Sequence, residues 1–289
     1  EEEEEEEKEE EELPPEALGD EMASSAALLT QMARAGFTGA LIVQPINYGF
    51  DHAHVTAVLD AQARSTAPVL RGMCLADPTL PPEDACRFLE DRAQEGYVAV
   101  RFNPYLWPEA AREQGWLADA SGTRMFAAAG RLQMPVGVMA FKGLLPLLPS
   151  LEALMAAHPE TLVVLDHLGF VRQSPAEPPS PALTIDQSAF GRLLQLAAYP
   201  QVHVKLSALF RVSRRGGLHD YDDMPSLFDQ LLQAYGAHRI MWGSDFPFVQ
   251  LQPGGYTAAM AAVTGWCAGL APAEAAAVLG GTAARLFRF

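Results

Sequence analysis

Seven short apolar runs recur along this chain, at residues 39–44, 69–75, 97–102, 135–140, 162–166, 202–207 and 239–244. Each is long enough for a buried strand and too short for a core helix. Segments rich in Ala and Leu, with apolar residues at helical spacing, lie between most of them, as at 25–35, 82–94, 125–132 and 256–267. Such regular alternation predicts parallel β/α units, not separate all-α and all-β domains. A Pro/Ser-rich stretch at 174–183 falls between a strand and its helix, so it reads as a rim loop and not as a linker. With 49% hydrophobic residues in 289, the chain supports one large core, and one domain over residues 13–289 is expected.

The strand count is the second constraint. A closed (β/α)8 barrel needs eight strands, and seven are legible. The first folded element is the helix at 25–35, preceded by residues 13–20 and a run of glutamates. Glutamates cannot supply a central strand buried on both faces. Either the strand before this helix has been lost, through a truncated or misassembled N-terminus, or the sheet is open and seven-stranded. The polar residues at the strand ends favour the first alternative: a distorted TIM (β/α)8 barrel lacking strand one, with two strand edges exposed along a seam.

The first twelve residues are eleven glutamates and one lysine, and they carry most of the formal charge of -16. They read as a self-repelling, disordered acidic tail, residues 1–12. The remainder has no clustered Lys and Arg, which excludes nucleic acid as a partner. No apolar run approaches a membrane span. Cys74, Cys86 and Cys267 have no metal-binding spacing and an odd count, which points to a reducing compartment. A glutamate run is neither a signal peptide nor a transit peptide, so a soluble protein of the cytoplasm or an organelle is expected.

Parallel barrels build their sites at the C-terminal ends of the strands. Alternation in the third run sends Val98, Val100 and Phe102 towards the helices and Ala99, Arg101 and Asn103 inward. In the sixth, Val204 and Leu206 face outward, and Lys205 and Ser207 face the barrel mouth. The fifth ends in Asp166-His167 and the seventh in Gly243-Ser244-Asp245-Phe246-Pro247. Charged groups from several strands at one height describe either a polar pocket or a structural salt-bridge network. Asp245 is placed to ligate a metal or to take a proton from water; the plainer role is capping the next loop. His167 is placed to ligate a metal, donate to a carbonyl or stabilise an oxyanion, or else to bond a backbone carbonyl. Asp166 lies on the opposite alternation, where it caps the following segment. Arg101 and Arg211 offer the planar fork that grips a carboxylate, and Asn103, Ser207, Gln44 and Asn47 are candidates for the polar lining. The His-x-His spacing of His52 and His54 falls at the start of a helix, where side chains two apart diverge, so metal binding there is discounted.

These blocks, above all Met241-Trp-Gly-Ser-Asp-Phe-Pro247 with Val100-Arg-Phe-Asn103, Leu165-Asp-His167 and Val204-Lys-Leu-Ser207, resemble the amidohydrolase-related metal-dependent hydrolases. The resemblance covers 13–289 and is strongest with the branch that contains 2-pyrone-4,6-dicarboxylate lactonase, in plant and green-algal form. It implies a distorted (β/α)8 barrel, with Asp245 as the proton-accepting carboxylate of the family's last strand and His167 as the histidine of its sixth. It also implies Arg101 and Arg211 as holders of a small carboxylated substrate. The implied reaction is hydrolysis of a lactone or other small acyl substrate; the alternatives are a metal-dependent decarboxylase of the same branch and a non-catalytic barrel kept for binding or structure. The family's first-strand His-x-His is missing, and Val138-Met139-Ala140 stands where many members place a further ligand. Zinc or another divalent metal on Asp245 and His167, and a metal-free mechanism, therefore both remain open.

Overall fold

Three of the helices begin where a short polar side chain, Ser24, Asp119 or Asp186, satisfies a free backbone N–H group. In the computed structural model, which describes residues 19–62, 69–113, 115–172, 185–213 and 221–289, Ser24 accepts from the backbone of Ala27 and starts α1 (Ser25–Ala35), which ends at Gly36 in the left-handed conformation. Further helices are α2 (Ala53–Gln62), α3 (Pro82–Gln94), α4 (Ala120–Arg131), α5 (Leu148–Ala157), α6 (Gln187–Gln195), α7 (Pro225–Tyr235), α8 (Gly255–Cys267) and α9 (Thr282–Phe287). α4 starts five residues earlier than its apolar spacing predicts, because Asp119 accepts from Gly122 N at 2.7 Å.

Among the described residues there are seven strands: β1 (Gly39–Val43), β2 (Val69–Leu75), β3 (Tyr97–Phe102), β4 (Val136–Val138), β5 (Val163–Leu165), β6 (Val202–Ser207) and β7 (Ile240–Gly243). They pair in sequence order and every pair is parallel. Met73 of β2, Val164 of β5 and Met241 of β7 meet in one inner cluster, so the sheet curls into the wall of a distorted TIM-type barrel. A larger outer cluster, with Val100, Val136, Val163, Val204 and Ile240, packs against the helices. Among the described residues β1 and β7 are the two edges of the sheet. Phe37, just before β1, stacks on Trp242 of β7 with ring centroids 4.9 Å apart and planes 2° from parallel.

The inner cluster is completed from below by α9, whose Leu286 and Phe287 are buried among the strand residues. Arg71 of β2 donates to the Arg288 carbonyl, and the Phe289 ring lies against Gly39 so closely that a Cβ there would stand 2.7 Å from it. The expected assignment of Val98 to the helix side is corrected: Val98 belongs with Ala99 to the inner cluster. The register with β2 slips between Gly72 and Met73, so alternation breaks at that point of β3. The acidic tail and the 174–183 stretch lie outside the described residues. No helix among the described residues is long and apolar enough to cross a membrane.

Candidate active site

Four strand ends converge at the barrel mouth. Arg101 projects inward from β3 and donates from Nη2 to Asp166 Oδ2 at 2.6 Å. Lys205 projects inward from β6 and sets Nζ 2.6 Å from Asp166 Oδ1, a close ion pair. Beside this triad, His167 Nδ1 shares a 2.8 Å hydrogen bond with Ser207 Oγ, and His167 Nε2 stands 3.7 Å from Asp245 Oδ1. Arg211, in the short helix Leu209–Val212 after β6, donates from Nε to Asp245 Oδ2 at 2.9 Å. The Phe210 and Phe248 rings, 5.2 and 5.0 Å from its guanidinium carbon, hold that side chain in place.

The backbone explains how Asp166 and His167 both reach this space. Counting inward from Val164 in the inner cluster, Asp166 is the next inward residue and His167 would face the helices. The chain instead turns left-handed at His167, Leu168, Gly169 and Phe170, with φ between 49° and 65°, which swings the imidazole over the mouth. Ala208 after β6 (φ 47°) and Asp245 after β7 (φ 59°) adopt the same conformation. For residues other than glycine this costs about 1–2 kcal/mol each, so strain gathers where the functional side chains leave their strands.

Asp166 is therefore a correction to the sequence expectation: it caps no segment. It is fully buried and is the electrostatic centre of the cluster. Burial pushes its carboxyl up, but Arg101 and Lys205 outweigh that and hold it well below the usual carboxylate range. Burial presses the His167 imidazole down to about 4, against the pull of Asp245 and Asp166, so the ring is neutral at neutral pH. Burial also lowers the Lys205 ammonium, with Asp166 opposing. Asp245 keeps 17% of its side chain accessible while Asp166 keeps none, so of the two carboxylates only Asp245 is open to the mouth.

The remaining candidates take other places. Ser207 is buried and turned to His167, where it fixes the ring rather than lining an open surface. Asn103 accepts from Tyr105 N and caps the turn Pro104–Leu106. Gln44 shares the outward parity of Ala40 and Ile42, and its amide ties the following loop through the carbonyls of Gly49 and Asp51. Asn47 is exposed in the turn Ile46–Tyr48. His52 is structural, as its spacing implied: Nδ1 bonds the Phe50 carbonyl and Nε2 accepts from Leu75 N. Lys205 faced the mouth in the sequence but drew no role, because a single inward lysine does not reveal its partner.

His167 Nε2 and Asp245 Oδ1 are the two donors a divalent metal would use, and they are close enough for one. A catalytic zinc keeps about three protein ligands, whereas no group of three or more His, Cys, Asp or Glu side chains converges among the described residues. Asp245 Oδ2 is committed to Arg211, and Arg101 and Lys205 stand in the same cluster, so the field opposes a dication. The described residues do not by themselves fit a catalytic metal.

Comparison with known proteins places this geometry in context. The family model described as amidohydrolase matches residues 1–289. An L-fucono-1,5-lactonase of Burkholderia multivorans is 36% identical over 148 residues, 48% of this chain and 47% of that protein. The chain thus spans about half the length of that relative. An amidohydrolase structure from Burkholderia multivorans with bound HEPES superposes with TM-score 0.71 at 25% identity, covering 92% of this chain and 88% of that one; another, with bound zinc, gives 0.69 at 26%, with the same coverage. A probable 2-pyrone-4,6-dicarboxylic acid hydrolase from Acinetobacter baumannii, with citric acid bound, has the same fold, with TM-score 0.69 at 21% identity over 91% of this chain and 88% of that one.

Proposed function

This chain belongs to the amidohydrolase family, and from that premise we propose that it hydrolyses a small lactone bearing a carboxylate, by water activated at Asp245. The observation that carries the reading is the 3.7 Å approach of His167 Nε2 to Oδ1 of the partly accessible Asp245, beside fixed guanidinium groups. The lactonase relative and the pyrone-dicarboxylate fold neighbour support the substrate class.

In this mechanism one water lies between Nε2 and Oδ1. With the ring proton on Nδ1 and given to Ser207, Nε2 accepts one water proton and Oδ1 accepts the other, which turns a lone pair towards the lactone carbonyl. Asp245 takes its proton as the C–O bond forms. His167 orients the water in this scheme, and the oxyanion role that its sequence position suggested passes to the guanidinium of Arg211. The Nε of that group is bound to Asp245, so its terminal nitrogens are the donors left for developing charge. Arg101, as accessible as Arg211 but paired to the fully buried Asp166, anchors the substrate carboxylate from the pocket floor through a long-range field. No metal takes part in this scheme.

The test is titration of acid release from carboxylated 1,5-lactones and 2-pyrones. Asp245→Asn is expected to lower kcat by about 10²–10⁴, the usual share of general base catalysis, with KM little changed. An Asp245→Asn variant with unaltered kcat ends the reading.

A further inference from the structure

We propose that Met139 is a specificity-determining residue of this site, the centre of an apolar wall that receives a lactone ring bare of hydroxyl groups. The inference rests on the lactone-hydrolase reading above and narrows its substrate class to carboxylated lactones without ring hydroxyls.

The mouth has two unlike sides. Arg101, Lys205, Arg211 and Asp245 bring charge from β3, from β6 and the helix after it, and from the end of β7. Between β3 and β6 the chain turns apolar. Val136-Gly-Val-Met-Ala-Phe141 along and beyond β4, and Leu168-Gly-Phe-Val171 after β5, contain no polar side chain. Val136 and Val138 belong to the outer cluster, so Gly137 and Met139 point inward. A Cβ on Gly137 would stand 2.9 Å from Met73 Sδ and 3.6 Å from Asp166 Oδ2, which puts that glycine beside the buried carboxylate. Met139 is the next inward side chain towards the mouth. Val136, Val138 and Ala140 are fully buried, whereas Met139 keeps 7% of its surface accessible and belongs to neither core cluster. Phe141 is half-buried and extends the wall: its ring meets Phe170 edge-on at 5.4 Å, and Phe170 meets the His167 imidazole edge-on at 5.1 Å. The wall thus runs from Met139 to the imidazole that orients the attacking water in the scheme above.

A ring with its carbonyl at that water turns its carbon edge to the wall. Burying C–H groups there is favourable. A ring hydroxyl would leave water and meet no partner, which is unfavourable. The polar groups of the adjoining loops are engaged: Asn103 accepts from Tyr105 N, the Tyr105 hydroxyl accepts from Lys142 N, and the Arg172 guanidinium carbon lies 5.5 Å from the Phe141 ring. An unbranched thioether suits the position, because it fills irregular gaps and adapts to the shape it touches.

Two carboxylated 1,5-lactones with one carbon skeleton test the proposal. The lactone of 2-hydroxyadipic acid has no ring hydroxyl, and that of a hexaric acid has three. Wild type, Met139→Leu and Met139→Gln are assayed on both by acid release, each rate divided by that lactone's spontaneous hydrolysis. Wild type is expected to favour the bare ring by about 10² in kcat/KM, the usual cost of a hydroxyl in an apolar pocket. Met139→Leu keeps the wall apolar and should hold that preference. Met139→Gln keeps the length and adds an amide, and should cut the ratio below about tenfold through KM, with kcat little changed because Met139 touches no reacting atom. Phe141→Tyr, which adds a hydroxyl to the same wall from a half-buried position, decides in its place if Met139→Gln does not fold. A wild type without the preference, or a folded Met139→Gln with the wild-type ratio, would overturn the proposal while leaving lactone hydrolysis standing. A wild type inert on both lactones overturns it as well; if every other carboxylated 1,5-lactone and 2-pyrone is also refused, the lactone-hydrolase reading falls with it.

Discussion

Replacing Asp166 by asparagine removes one negative charge and almost nothing else. Its two oxygens stand 2.6 Å from Arg101 Nη2 and 2.6 Å from Lys205 Nζ, and the carboxylate is fully buried. The cations are themselves only 14% and 11% accessible, so water cannot replace the lost partner without opening the mouth of the barrel. Breaking a buried pair by removing one member costs about 3–5 kcal/mol, and here one change strands two cations. The expected loss at pH 7 is therefore in that range, read as a shift of the urea midpoint by tryptophan fluorescence at unchanged m. The sign with pH follows from the depressed carboxyl. Its contribution is fully present above the unfolded aspartate value of about 3.9 and is lost as pH falls towards the folded value. Wild type should thus lose stability between about pH 4 and pH 2 more steeply than Asp166→Asn, and the two curves should converge there. A difference below about 1 kcal/mol at pH 7, the scale of an exposed pair, would refute the burial argument.

Three further outcomes are expected. Gly72→Ala puts a Cβ 2.6 Å from the Tyr97 ring and 2.7 Å from Leu59, so it should destabilise by about 1–3 kcal/mol in the same titration; a neutral substitution would mean that the β2–β3 slip is soft. Burial presses His203 down to about 4, with Arg285 and Arg239 adding to it, so protonation favours the unfolded chain. Stability should then fall as pH drops from about 6.5 to about 4, by at most ~1.4 kcal/mol per pH unit for this group, and His203→Phe should shallow that slope. Dialysis against a chelator should leave kcat within about twofold; loss of turnover restored by zinc would show that the donor set is larger than the described residues display.

Strand positions were legible because burial on both faces leaves unbroken apolar runs, and all seven appear where those runs lie. Alternation carried Lys205 and Ser207 to the mouth correctly, since β6 is regular. It failed at Val98, where the register slips, and at Asp166-His167, where the backbone leaves the strand for a left-handed turn that no residue type there demands. Gln44 and Asn47 drew attention as polar residues after a strand, yet side-chain amides serve equally well to tie a loop, and in Gln44 that use prevails. The charges of the cluster were visible one by one. Their pairing was not, because Arg101, Asp166 and Lys205 are separated by many residues and only the curl of the sheet brings them together.

The packing of Leu286 and Phe287 beneath the strands has a consequence for biogenesis. Residues 282–287 leave the ribosome after all seven strands have been made, and until they arrive the hydrophobic floor under Met73, Val164 and Met241 is open to water. A nascent chain halted before that point would hold an assembled sheet with a wet underside, a natural surface for a chaperone.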